Sequence, residues 1–107
     1  MRILTLGRLE RVHAEIASRL GAGDRVLDLG CHPGSWSIYA SQAVGEKGVV
    51  VGVDLQPTDL PSQKGHAEIH WLCYDVYADD LTSTLRRKWP GFHVLISDMA
   101  PRTTGSQ

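Results

Sequence analysis

The sequence lacks an excess of charge of either sign: 11 Lys and Arg stand against 12 Asp and Glu, a net charge of −1. No global basic field advertises nucleic-acid binding, so contact with a polyanion has to come from a local patch. Long apolar runs are missing as well, and nothing approaches the roughly 20 residues that a membrane span needs. The opening Met1-Arg2-Ile3-Leu4-Thr5-Leu6-Gly7 is too short an apolar stretch for a signal peptide. Cysteine is scarce. Cys31 and Cys73 sit at the ends of predicted strands that are not neighbours, which excludes a disulfide framework and fits a reducing cytoplasm. His13, His66, His70 and His93 have no metal-like spacing with those cysteines, since His70 and Cys73 point to opposite faces of a strand. No metal site is expected. With 107 residues, 42% of them apolar, there is room for a single soluble domain over residues 1–107 and one core.

What is present is a series of apolar runs separated by helix or loop signals. Leu9, Val12, Ile16 and Leu20 recur at helical spacing and predict a helix over 8–20, stopped by Gly21-Ala22-Gly23-Asp24. A strand over 25–29 follows, then a second helix over 35–44, with Ser35 placed to cap it. Val49-Val50-Val51-Gly52-Val53-Asp54 is β-branched almost throughout, the pattern of a strand buried on both faces. Residues 55–67 hold Pro57, Pro61 and Gly65 and read as a loop, before a third strand over 69–74. Leu81, Leu85 and Trp89 predict a helix over 79–89, acidic at its start and basic at its end as the helix dipole favours. Pro90-Gly91 ends it, and Phe92 to Ser97 forms the fourth strand.

Each of the four runs closes on an aspartate, at 28, 54, 75 and 98, with intervals of 26, 21 and 23 residues. That is the length of a crossover plus a strand, and right-handed crossovers bring the carboxyl ends of parallel strands to one edge. Open α/β sheets bind their ligands along that edge. The first acid leads into Gly30-Cys31-His32-Pro33-Gly34-Ser35-Trp36, a strand–turn–helix corner where glycines let a ligand approach the backbone.

Three ligands compete for this corner. A dinucleotide fold wants Gly-x-Gly-x-x-Gly, but His32 stands where the second glycine belongs and fills the space of a pyrophosphate. A phosphate-binding P-loop fails, because no Gly-Lys-Ser/Thr follows. S-adenosylmethionine carries no phosphate and has a cationic sulfonium, which a row of carboxylates suits. In that reading Asp28 orients the methionine end, directly or through backbone or water, and Asp54 accepts from the ribose hydroxyls. Asp75 accepts from the adenine amino group, and Asp98 lies near the sulfonium if the strand order, counting the four runs, is 3-2-1-4. His32 reads as a turn residue at the rim rather than a catalytic base.

The segments Asp-Leu-Gly-Cys-His-Pro-Gly-Ser-Trp-Ser (28–37), Gly-Val-Asp-Leu-Gln-Pro (52–57) and Ser-Asp-Met-Ala-Pro-Arg-Thr-Thr-Gly (97–105) resemble the FtsJ/RrmJ-type 2′-O-ribose methyltransferases, notably the bacterial enzymes that act on a uridine of large-subunit ribosomal RNA. The resemblance runs from about residue 8 to the end of the chain. It implies the N-terminal part of a Rossmann-like class I methyltransferase fold, α/β with parallel strands and flanking helices. It also implies S-adenosylmethionine as cofactor, and cofactor contacts at Asp28, Gly30, Pro33, Gly34, Trp36, Asp54, Leu55, Asp75 and Asp98. Cys31 and His32 stand where the family commonly has small residues, and Ser35 where it often has a second glycine.

The chemistry the resemblance implies needs more than a cofactor. A ribose hydroxyl becomes a good nucleophile only when a base takes its proton during in-line attack. The family's Lys-Asp-Lys-Glu set is represented here by Asp98 alone, the catalytic candidate. The first lysine falls about where Val12 stands, with Arg11 beside it and Arg8 a turn earlier, and arginine stays protonated. The second lysine and the glutamate would follow Gln107. The fold of the family has about seven strands, so this chain reads as truncated and inactive alone, and either prone to self-association through an exposed apolar strand 92–97 or marginally stable. A degenerate, non-catalytic cofactor-binding or interaction module is the competing reading. For RNA, Arg8, Arg11 and Arg102 are better placed than Arg86-Arg87-Lys88, which closes a helix at the opposite edge of the sheet.

Overall fold

The computed structural model describes residues 2–5, 20–32 and 34–97. The predicted helix over 8–20 lies outside the described residues except for Leu20. So do Val12, Arg8, Arg11, Pro33, Asp98 and Arg102.

Five strands and two helices follow in chain order: β1 (Arg2–Thr5), β2 (Arg25–Leu29), α1 (Ser35–Val44), β3 (Val49–Asp54), β4 (Glu68–Cys73), α2 (Leu81–Arg86) and β5 (Val94–Ser97). They form one sheet of order β1-β5-β2-β3-β4, parallel at every pairing. The four predicted strands therefore stand in the expected order, with the 25–29 and 49–54 boundaries as read. The third begins and ends one residue earlier, and the fourth starts at Val94 rather than Phe92.

β1 was not foreseen. It pairs with β5 in register Arg2↔Val94 to Thr5↔Ser97, so β5 is flanked by β1 on one side and β2 on the other. The expectation that strand 92–97 is an exposed edge is overturned by this pairing. Among the described residues the edges are β1 and β4.

The pleat divides the sheet into two cores. Val26, Val50, Ile69, Val94 and Ile96 face α1 and close over Ala40 and Val44. Leu27, Val51 and Val53 face the other way, against Leu81 and Leu85 of α2, with Trp89 and Phe92 beside them. Each such side chain, fully buried, adds about 1.5–3 kcal/mol. α1 presents residues 37, 40, 41 and 44 to the sheet, the spacing of one helical face, and all four are buried. Ser41 keeps its hydroxyl satisfied by donating to the Ile38 carbonyl at 2.7 Å. The helix begins at Ser35, with Gly34 rather than Ser35 in the capping position and no side-chain cap bond.

α2 is shorter than the 79–89 periodicity predicts. After Arg86 the chain tightens, and the amides of Lys88 and Trp89 both bond to the Leu85 carbonyl at 3.1 and 3.0 Å. At the opposite edge from the site, the starts of β2 and β5 are stitched together. His93 N–H donates to the Arg25 carbonyl at 2.8 Å, and Arg25 N–H donates to His93 Nδ1 at 2.9 Å. No helix of the described residues is long and apolar enough to cross a membrane.

Candidate functional site

The parallel sheet brings the ends of β2, β3 and β4 to one edge, and the register orders their acids. Asp28 pairs across from Gly52, while Asp54 pairs across from Cys73, so Asp54 lies two residues farther out than Asp28. Asp75 follows two residues after β4 and is exposed. Leu55, next to Asp54, is 65% exposed at the same rim. The fourth acid, Asp98, follows Ser97 and lies outside the described residues.

Asp28 is fully buried, at 0% exposure, and Ser37 Oγ donates to its Oδ2 at 2.6 Å. Its place is behind the corner, where it ties β2 to the first turn of α1. The corner itself is sewn to β3: the amides of Gly30 and Cys31 both donate to the Val53 carbonyl, at 2.8 and 3.2 Å. Two residues on, His32 N–H reaches Asp54 Oδ2 at 3.0 Å. Asp54 Oδ1 accepts from Gln56 N–H at 2.9 Å. One backbone donor from each of two loops thus fixes the plane of the Asp54 carboxylate. About four acceptor positions are available on an ionised carboxylate, so about two remain for another donor.

Gly34 shows why the corner needs glycine. Its φ is +107°, and a Cβ there would meet Leu60 Cδ1 at 3.0 Å, Trp71 Cη2 at 3.1 Å and Thr58 Cγ2 at 3.2 Å. The loop after β3 therefore rests directly on the corner. It is pinned by Trp71 Nε1, which donates to the Leu60 carbonyl at 2.9 Å, and by Cys73 Sγ, which donates to the Leu55 carbonyl at 3.2 Å. His32 Nδ1 and Thr58 Oγ1 are hydrogen-bond partners at 3.2 Å. Beneath this loop lies a pocket of about 80 Å³, walled by Cys31, Gly52, Gln56, Thr58, Trp71 and Cys73 among others.

Both cysteines are free thiols, as expected, and both border that pocket. Burial, reinforced by the negative charges of Asp28 and then Asp54, pushes the Cys31 thiol up to about 12. It is a neutral packing group, not a nucleophile. At the end of β4, Asp75 Oδ1 accepts from Tyr77 N–H at 2.9 Å, which turns the chain away from the sheet and leaves the carboxylate at the open rim. Trp36, expected at the cofactor, is partly buried against the α1 core with its ring edge-on to Tyr39, centroids 6.1 Å apart. Among the described residues no group of three or more His, Cys, Asp or Glu side chains is placed to hold a metal ion.

Sequence reasoning thus found Asp54, Leu55, Asp75, Gly30 and Gly34 at one edge, and it missed three residues that hold them. Ser37 was legible as a hydroxyl on the otherwise apolar sheet-facing stripe of α1, at a position where a polar group needs a buried partner. Gln56 acts through its amide and Thr58 through a loop contact, and neither carries a pattern of its own.

Comparison with known proteins decides the family. The model of the FtsJ-like methyltransferases matches residues 9–107. The chain belongs to the FtsJ-like methyltransferase family. It is 53% identical over 88 residues to the ribosomal RNA large subunit methyltransferase E of Desulfotalea psychrophila, covering 82% of this chain and 44% of that protein. The proteins of the same name from Desulfatibacillum aliphaticivorans and Bdellovibrio bacteriovorus are 45% and 46% identical over 86 and 83 residues. Those matches cover 80% and 78% of this chain and 40% and 41% of the relatives. This FtsJ-like chain therefore spans less than half the length of the relatives it matches. An α/β parallel sheet with helices on both faces is the architecture the family resemblance implied.

Proposed function

We propose that the edge formed by Gly30, Gly34, Asp54, Leu55 and Asp75 binds S-adenosylmethionine, and that the protein transfers the methyl group to a ribose 2′-hydroxyl of large-subunit ribosomal RNA. The observation that carries the reading is the state of Asp54. Its carboxylate is oriented by two backbone N–H groups, keeps acceptor capacity to spare, and stands at the end of the strand beside the glycine corner. A phosphate-bearing ligand fits poorly there, because carboxylates line the rim where backbone donors would be required.

Ribose hydroxyls donate to Asp54 in this arrangement, Leu55 packs against the nucleobase, and Asp75 accepts from the adenine amino group. Asp28 supports the turn from behind through Ser37. The bound cofactor supplies an electrophilic methyl on a sulfonium. The chain's task is to hold that methyl in line with the acceptor oxygen and to exclude competing water. Asp98 is the one member of the family's catalytic set in this chain, placed by sequence one residue beyond β5. RNA phosphates are met by Arg8, Arg11 and Arg102, and the free thiols suit a reducing cytoplasm.

Calorimetric titration with S-adenosylmethionine tests the reading. The expected affinity is micromolar to submillimolar, and Asp54→Ala and Asp98→Ala each weaken it while leaving the unfolding transition in place. Absence of binding, with no competition from S-adenosylhomocysteine, would rule it out.

A further inference from the structure

The two donors on Asp54 come from different loops, and something has to keep those loops in step. His32 N–H belongs to the β2–α1 corner and Gln56 N–H to the loop after β3. That loop is exposed at Leu55, Gln56, Pro57, Asp59 and Leu60, with only Thr58 half-buried, so burial does little to fix it. Its ends are tied to β4, through Cys73 at Leu55 and Trp71 at Leu60. Its middle is tied to the corner by the bond between the His32 ring and the Thr58 hydroxyl. His32 thus bonds twice, through its backbone to Asp54 and through its side chain to the loop whose amide holds the other Asp54 oxygen.

We propose that His32 is a positioning residue: with Thr58 it forms a clasp across the two loops that presets the Asp54 carboxylate for a ribose cis-diol, and so sets selectivity for ribose over deoxyribose in the bound nucleoside. The clasp accounts for a large polar residue at a tight turn. It also gives the imidazole a task other than proton transfer, since its Nδ1 is committed to Thr58. The inference rests on Asp54 being the ribose acceptor, whereas the clasp itself can be read without any ligand.

The test uses two readouts on the intact chain. In the first, calorimetry compares S-adenosylhomocysteine with its 2′-deoxyribose counterpart. His32→Ala and Thr58→Val are each expected to weaken the ribose ligand about tenfold, as losing a well-placed bond to a charged group does, and to leave the deoxy ligand unchanged. The double variant is no worse than either single one, because both remove the same contact. His32→Asn, whose amide reaches the Thr58 hydroxyl from nearly the Nδ1 position, and Thr58→Ser restore the wild-type ratio. In the second readout, amide hydrogen exchange without ligand is expected to quicken at Gln56 in His32→Ala and to return to normal in His32→Asn. If the wild-type chain binds neither ligand, the cofactor reading fails and the ribose-selectivity proposal with it. The exchange data then decide only whether the loops are clasped. If it binds the ribose ligand but His32→Ala keeps the same ligand ratio and the same Gln56 exchange, the clasp is overturned and the cofactor reading stands.

Discussion

Replacing Gly34 by alanine tests the packing of the corner in a form that can be worked from the structure. Two costs add. A φ of +107° is a conformation that L side chains rarely adopt, and forcing one there costs about 1–2 kcal/mol. The new Cβ would also sit 3.0–3.2 Å from Leu60, Trp71 and Thr58, tighter than ordinary van der Waals contact on three sides. Overpacking of this kind costs about 1–3 kcal/mol. The Leu60 and Thr58 side chains lie on an exposed loop and can give a little, whereas the Trp71 ring is anchored through its N–H to Leu60. We therefore expect a loss of about 2–4 kcal/mol from Gly34→Ala. Gly65 supplies the control. Its φ is +84° but nothing lies within 4 Å of its Cβ position, so Gly65→Ala carries the conformational cost alone, about 1–2 kcal/mol. Urea unfolding followed by tryptophan fluorescence reads both. With a typical dependence of roughly 1–2 kcal/mol per M, the Gly34 variant should unfold at a midpoint about 1–4 M lower than wild type. Equal losses for the two variants would refute the claim that the loop after β3 rests on the corner.

Two further outcomes follow from the buried groups. The folded chain holds the Cys31 thiol near 12 against an ordinary 9.0, because burial and the Asp28 and Asp54 charges oppose ionisation. The stability this contributes is fully present below pH 9 and is lost as pH rises toward 12, since the unfolded chain ionises first. Stability should therefore fall with a slope on the order of 1 kcal/mol per pH unit in that window. Cys31→Ala should flatten the profile, and parallel profiles from chemical denaturation at stepped pH would contradict the assignment. Ser37→Ala removes the hydroxyl that donates to buried Asp28 and should cost about 1.5–3 kcal/mol in thermal unfolding. A loss under about 0.5 kcal/mol, the ordinary range for surface changes, would show that Asp28 is held by other means.

How much was legible follows from what each segment depends on. Val49 to Asp54 and Arg25 to Leu29 read correctly because short, mainly apolar runs bounded by glycine turns are too short for helices, and the first of them is β-branched almost throughout. Crossover lengths gave parallel strands whose acids share an edge, whereas the strand order entered only as a condition of the ligand reading and through the family resemblance. β1 was illegible because four residues, Arg2 to Thr5, carry no period of their own. Its strand character comes from pairing with β5, about ninety positions away in the chain. The tail of the helix over 79–89 misled because Trp89 continues the apolar spacing of Leu81 and Leu85. The structure keeps that side chain in the core by a tight turn instead of a last helical turn. At the site, the acids could be counted but their depth could not. Asp28 and Asp54 look alike in sequence, and only the parallel register and Ser37 show that one is buried support and the other an available acceptor.

The central claim is that the corner takes a methyl donor and not a dinucleotide, and one calorimetric comparison tests it. S-Adenosylhomocysteine and a nicotinamide dinucleotide are titrated separately into the same preparation, with Asp54→Asn alongside. The account predicts saturable heat for S-adenosylhomocysteine, weakened at least tenfold by Asp54→Asn, and none for the dinucleotide. Heat from the dinucleotide with silence from S-adenosylhomocysteine would contradict it.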